Sequence, residues 1–241
     1  MTLVDDGSCD GTGDLVAQMA TEDPRLRLIR LSGNQGAAVA RNIAIRAAEG
    51  RYIAFLDADD MWLPGKLTRQ LAFMQAREAA FSFTGYERMD GAGAGLGLIG
   101  VPDQVQRRDL MKTCVIGCLT VIYDRHMLGR VEMPLLRKRQ DFGLWLRLLT
   151  KTPVAHGLNE VLARYRVASG SLSTRKAGVA GYNWRLYRQE LGLTRPQAAY
   201  YFSHYAVRGA LRYHAPGMAR RLGLLHVPKD APQNPGLARA S

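Results

Sequence analysis

Before residue 90 the sequence switches repeatedly between two apolar patterns, and this alternation constrains the fold more than any other feature. Leu3 and Val4 read as the end of a strand, and residues 14–20 as a short helix. Leu26, Leu28 and Leu31 stand apolar among arginines, which predicts a strand over 25–31. Gly33-Asn34-Gln35-Gly36 reads as a turn. Residues 37–48 are Ala-rich helix formers, with Gly50 as the stop. Tyr52-Ile53-Ala54-Phe55-Leu56 is an unbroken apolar run, as expected of a strand buried on both faces. Pro64 sits near the start of a helix predicted to reach residue 77, and residues 81–86 suit another strand. Strand and helix at this spacing predict an α/β fold, a parallel doubly wound sheet. In such sheets ligands bind beyond the carboxyl ends of the strands. Asp5-Asp6 and Asp57-Ala58-Asp59-Asp60 each follow a predicted strand, so both clusters are expected on that rim.

Further along, residues 90–100 read as a Gly-rich hairpin or loop, 119–123 as a strand and 161–167 as a late strand. Residues 141–150 read as a helix with Phe142, Trp145, Leu146 and Leu149 on one face. From residue 182 the chain is helical, aromatic and basic, and its last dozen residues, with Pro228, Pro232 and Pro235, read as a loose tail. At 47% hydrophobic residues over 241, a disordered or fibrous protein is excluded, and a sizeable core forms without disulfides. Cys9, Cys114 and Cys118 cannot pair completely and lack zinc-ligand spacing, so a reduced, cytoplasmic setting is expected. No signal peptide is visible at Met1, and the apolar stretch 114–123 falls short of the roughly 20 residues that span a bilayer. The excess of 33 basic over 21 acidic residues, +12, suits nucleic acid, an anionic membrane or a phosphate-bearing substrate. A chain that opens on half a buried strand also reads as truncated at its front.

Several motifs compete. Gly95-Leu96-Gly97-Leu98-Ile99-Gly100 matches a dinucleotide fingerprint, but Val101-Pro102 follows where a helix should open, so it reads as a loop. A calcium loop starting at Asp6 fails because Ala17 stands where a bidentate Glu is required. Asp57-Ala58-Asp59-Asp60 is either a solvated turn or a site where a hard divalent cation relieves crowded carboxylates. Asp141, at a predicted helix start beside Arg137, Lys138 and Arg139, is either a helix cap or a general base, with cations suited to a diphosphate. Arg185, Tyr187, Arg188, Tyr200, Tyr201, Tyr205, Arg208, Arg212, Tyr213, Arg220 and Arg221 divide between helix core and contact with anionic lipid. Cys114 and Cys118 read as buried small hydrophobes.

Four stretches in order resemble the family 2 glycosyltransferases. They are Val4-Asp5-Asp6-Gly7-Ser8-Cys9-Asp10-Gly11-Thr12, Asn34-Gln35-Gly36-Ala37-Ala38-Val39-Ala40-Arg41-Asn42, Tyr52 to Asp60, and Gln140-Asp141 with the Trp145-Leu146-Arg147-Leu148 helix. Tyr165-Arg166 with Ser171 and Ser173 adds to the likeness. The resemblance implies an A-type glycosyltransferase fold, a nucleotide-binding α/β/α sandwich with a mixed, mostly parallel sheet, that moves a sugar from a nucleotide-diphosphate sugar to a glycan or lipid-linked acceptor, with inversion. It implies donor contacts from Asp5, Asp6, Asn34, Gly36, Arg41, Asn42, Asp57 and Arg139. It also implies a Mn²⁺ or Mg²⁺ ion at Asp57 and Asp59, and Asp141 as catalytic base. Gln140 stands where the family usually has Glu, and the strand and Tyr-Asn-like loop that usually precede the Asp-Asp-Gly-Ser segment are missing. The expected division is a catalytic domain over 1–175, short of that front, and a basic, aromatic helical extension over 176–241. The expected location is cytoplasmic, peripheral at the inner membrane face. A sugar-nucleotide pyrophosphorylase and a non-catalytic nucleotide-sugar binder are the alternatives; clustered rim carboxylates argue against nucleic acid.

Overall fold

The computed structural model describes residues 1–167 and 176–229. Ser171, Ser173 and most of the proline-bearing tail lie outside them. In chain order the elements are β1 (Thr2–Asp5), α1 (Thr12–Glu22), β2 (Arg27–Arg30), α2 (Ala37–Ala47), β3 (Tyr52–Ala54), β4 (Met61–Trp62), α3 (Lys66–Ala76), β5 (Phe81–Met89) and β6 (Gly95–Ile99). There follow β7 (Gln104–Val105), α4 (Arg107–Lys112), β8 (Ile122–Asp124), α5 (Arg125–Leu128), α6 (Gln140–Leu148), β9 (Ala155–Arg166), α7 (Lys176–Arg185), α8 (Arg195–His214) and α9 (Pro216–Arg221).

β1 and β2 pair in parallel as a ribbon of their own. The main sheet has seven strands in the order β3-β8-β5-β9-β4, with β6 on β5 and β7 on β9. The expected α/β fold with a mixed sheet is present, but parallel pairing is limited, among the described residues, to β1–β2 and β5–β9. The other pairs are antiparallel because β4, β6, β7 and β8 are short strands that enter through turns and loops, not crossover helices. The Gly-rich segment forms such a hairpin: the Asp90 carboxylate accepts from the Ala94 N–H at 2.8 Å, and Gly95–Ile99 folds back as β6. That strand is incompatible with a dinucleotide fingerprint, and Ala17 lies inside α1.

Two segments depart from their expected periods. Cys118–Thr120 is a 3₁₀ turn, and the strand starts only at Ile122. β9 begins at Ala155, because pairing with β5 recruits His156 to Glu160, which show no clear alternation of their own.

The core centres on Trp145 of α6, whose ring meets Phe55 at 5.9 Å and Phe81 at 5.7 Å. α6 buries Phe142, Leu144, Trp145, Leu146 and Leu148, more than one stripe, because elements after residue 180 cover its other side. The ring of Tyr187 lies 6.5 Å from Phe142, and its hydroxyl donates to the Met111 carbonyl at 2.6 Å. Gly143 allows this fit, since a Cβ there would come within 2.3 Å of Pro134 Cγ. Leu186, Tyr187 and Ala198 thus belong to the same apolar cluster as the sheet. The basic aromatic segment is not one uniform face. Tyr201, Phe202, Tyr205, Arg208 and Arg212 are half-buried, while Ala199, Tyr200, Ala206, Val207, Ala210 and Tyr213 form the outward row of α8.

Candidate active site

The two first loops are fused by backbone geometry. Both oxygens of the Asp6 carboxylate accept backbone N–H groups, from Gln35 at 2.7 Å and Gly36 at 2.8 Å. Gly7, at φ +80°, approaches so closely that a Cβ would lie 2.8 Å from the backbone of Gly33. Asp5 is buried and accepts from the Ser8 N–H at 2.9 Å. The Ser8 hydrogen bonds hold its carboxyl below the usual carboxylate range. Asp6 therefore shapes the loop that presents Asn34 and Gly36, and all four residues line one cavity.

That cavity, about 1690 Å³, separates the β1–β2 ribbon from the β3 edge of the main sheet. Arg41 and Asp57 close one side of it, joined through Arg41 Nη2 at 2.5 and 2.6 Å from the two carboxylate oxygens. Asn42, the next residue on α2, has different partners. It is buried, donates to the Met133 carbonyl at 2.9 Å and accepts from the Met133 N–H at 2.7 Å. Asn42 is not among the residues that line the cavity, so the expected donor contact is replaced by a loop clamp. Ala38, Asn42 and Ile45 are the buried residues of α2.

The four-residue acidic segment divides its carboxylates. Asp57 is paired with Arg41, Asp59 is exposed and Asp60 is buried. Burial pushes the Asp60 carboxyl up to about 7, with the charges of Asp59 and Asp57 adding to the effect. Arg166, at the end of β9, secures this segment from behind. Its N–H donates to Asp60 Oδ1 at 2.9 Å, and its side chain donates to the carbonyls of Asp59 at 3.0 Å, Asp90 at 3.2 Å and Gly91 at 2.7 Å. No group of three His, Cys, Asp or Glu side chains that would enclose a metal occurs among the described residues. A small hard cation held by one or two carboxylates and a substrate phosphate needs no such group. The oxygen donors of Asp57 and Asp59 fit that mode.

Behind the segment, Lys66 is almost completely buried, with Gln70 Oε1 at 2.5 Å, the Thr120 carbonyl at 3.4 Å and the Trp62 ring at 5.1 Å. Desolvation lowers its ammonium to about 7. Trp62 Nε1 donates to the Leu119 carbonyl at 2.8 Å, so the Lys66–Trp62 group holds the 118–120 turn against α3.

That turn connects the acidic segment to Asp141. The Cys118 thiol, raised by burial, lies within electrostatic reach of Arg41, Asp57, Asp141 and Asp60. Asp141 stands in the first turn of α6 and accepts from the Phe142 N–H at 2.7 Å. It caps its helix with one oxygen and remains half-buried. Arg139, the N-cap residue, adopts φ +67° and does not line the cavity. It turns instead toward α8, where its guanidinium donates to the Tyr205 hydroxyl and lies 5.2 Å from the Tyr205 ring. Sequence reasoning missed the buried Lys66 and gave Cys118 and Tyr205 no place at the site. None carries a motif, and only their contacts mark them.

A family model for glycosyl transferase family 2 matches residues 1–114. Over 207 residues the chain is 45% identical to a putative teichuronic acid biosynthesis glycosyltransferase, TuaG, of Bacillus subtilis (strain 168), covering 86% of this chain and 82% of that protein. The chain belongs to glycosyltransferase family 2. This transferase is also 37% identical over 174 residues to the Escherichia coli UDP-Glc:α-D-GlcNAc-diphosphoundecaprenol β-1,3-glucosyltransferase WfaP, across 72% of this chain and 68% of that one. The solved structure of Staphylococcus aureus TarS 1-349 in complex with UDP superposes with a TM-score of 0.61 at 18% identity, covering 92% of the transferase and 64% of the TarS chain. At that identity the superposition establishes the fold, an A-type glycosyltransferase fold. The transferase takes its sugar from a nucleotide sugar, and no helix among its described residues is long and apolar enough to cross a membrane.

Proposed function

We propose that the protein transfers a sugar, with inversion, from a nucleotide-diphosphate sugar to a lipid-linked glycan acceptor in bacterial surface-polysaccharide synthesis. The observation that carries this reading is the ion pair of Arg41 and Asp57 at the edge of the cavity that Asp5, Asp6, Asn34 and Gly36 line. The nucleotide lies along Asp5, Asn34 and Gly36, with Asp6 holding the loop that receives it. Arg41 and Asp57 stand where the donor diphosphate enters, and Asp57 and Asp59 would hold a Mn²⁺ or Mg²⁺ ion. Such an ion, when bound, neutralises charge on the diphosphate leaving group. Asp141 accepts the proton of the acceptor hydroxyl as that oxygen attacks the anomeric carbon from the face opposite the leaving group. No covalent enzyme intermediate forms. The names of TuaG and WfaP, a teichuronic acid enzyme and an enzyme acting on a diphosphoundecaprenol-linked sugar, support a lipid-linked acceptor.

A peripheral contact with anionic lipid on the cytoplasmic side completes the proposal. It is supported by Met218 and Leu222, 56% and 59% exposed, beside the exposed Arg220 and Arg221 at α9. The test of the catalytic reading is Asp141→Asn. Sugar transfer should disappear while UDP binding, measured by calorimetry, stays within twofold of wild type; unchanged turnover would refute the assignment.

A further inference from the structure

Residues 135–138 form a short loop that is tied down at both ends. On its near side, Asn42 clamps Met133, and Glu132 pairs with Arg46 at 2.9 Å. The Glu132 carbonyl accepts from Arg147 Nη1 at 2.8 Å, and Pro134 is buried against Gly143 of α6. With these separate ties, the root of the loop does not depend on any single contact. On its far side, Arg139 opens α6 and is bound to Tyr205. Between the anchors Leu135 is 73% exposed and Arg137 is exposed. Leu135, Leu136 and Arg137 all line the donor cavity.

The charges on the wall of that cavity single out Arg137. Four arginines line it, and three are already paired. Arg41 meets Asp57 at 2.5 Å, Arg25 meets Asp23 at 2.7 Å and Arg27 meets Glu49 at 3.9 Å. Arg137 has no carboxylate, hydrogen-bond or aromatic partner among the described residues. A lone exposed arginine is ordinarily a solvated charge. This one stands on a wall that also carries Asp5, Asp6, Asp57 and Asp60. A diphosphate entering there meets carboxylates and neutralised cations, so its binding needs a positive charge that is still free. Guanidinium forks match phosphate oxygens in geometry as well as charge.

We propose that Arg137, carried on this pinned loop, is the residue that binds the donor diphosphate, in the place the sequence suggests for Arg139. This rests on the transferase reading above and adds to it the unpaired cation of the donor site. Arg139 is committed to Tyr205 and does not line the cavity, whereas Arg137, two residues earlier, does. Because both ends of the loop are fixed, only residues 135–138 have to be ordered when the donor enters. Leu135 and Leu136 place apolar surface beside the guanidinium, which reduces the water that would screen its contact with phosphate.

The experiment is a calorimetric titration of the full chain with UDP and, separately, with UMP, both with Mg²⁺ present. UMP keeps the nucleoside and lacks the second phosphate, so the ratio of the two affinities reads the diphosphate contact. Wild type should prefer UDP. Arg137→Met should lower UDP affinity about tenfold, the loss expected from one charged hydrogen-bonding group, and leave UMP affinity within about twofold, which shows that the variant is folded. Arg137→Lys should recover most of the loss, because the charge remains. Arg139→Met should keep the preference for UDP. A wild-type preference for UDP in Arg137→Met overturns the assignment. So does an equal loss for UDP and UMP, or equal affinity of wild type for both. The transferase reading fails by a different result: wild type that binds neither nucleotide refutes it and removes this assignment with it.

Discussion

Asn42→Ala separates a binding role from a structural one and has a magnitude that follows from contacts. Asn42 makes two hydrogen bonds, 2.7 and 2.9 Å long, to the N–H and carbonyl of Met133, and both residues are buried. Alanine removes both partners at once. Each buried backbone group left without a partner costs about 1–3 kcal/mol, so the substitution should destabilise the protein by roughly 2–6 kcal/mol. In urea, with a slope of about 3 kcal/mol per M, the midpoint should fall by roughly 1 M. Because Asn42 does not line the cavity and both its hydrogen bonds go to Met133, UDP affinity of the folded variant should stay within twofold of wild type when measured well below the unfolding midpoint. The reasoning fails if the midpoint moves by less than a few tenths of a molar while UDP binding weakens tenfold. That pattern would return Asn42 to the donor site.

Lys66 sets a pH dependence of stability. Its folded pKa, about 7, lies below its ordinary value of 10.5, so between those values the unfolded chain binds more protons and stability rises with pH. The gain approaches about 1.4 kcal/mol per pH unit and is complete above the unfolded value. Lys66→Met should remove this slope, read as the difference between wild-type and variant urea midpoints from pH 7.5 to 9.5; parallel profiles would contradict it. The α9 contact should appear as sedimentation with phosphatidylglycerol vesicles that weakens at high salt and is lost in an Arg220→Glu/Arg221→Glu double variant. Equal sedimentation with phosphatidylcholine vesicles would show that charge is not the cause.

The motifs carried more of the site than the periodicities carried of the fold. Asp5, Asp6, Gly36, Arg41 and Asp57 were legible because a turn, a helix start and a strand end are local events, and all five line one cavity. Strand direction was not legible. β5 and β9 pair across more than 60 residues of sequence, and the short antiparallel strands between them have too few side chains to announce themselves.

The sequence by itself determined the family, the α/β class and the acidic rim, since each rests on neighbouring residues in the chain. Only the tertiary structure decided which way each polar group faces. Asn42 and Arg41 are adjacent in sequence, yet one step of 100° around α2 sends one to Met133 and the other to Asp57. Arg139 and Tyr205 stand 66 positions apart, and only the packing of α8 beside the start of α6 brings them together. A pattern of residue types specifies which surface is apolar and which bears charge. It does not specify which distant side chains will meet, because that depends on how the elements pack.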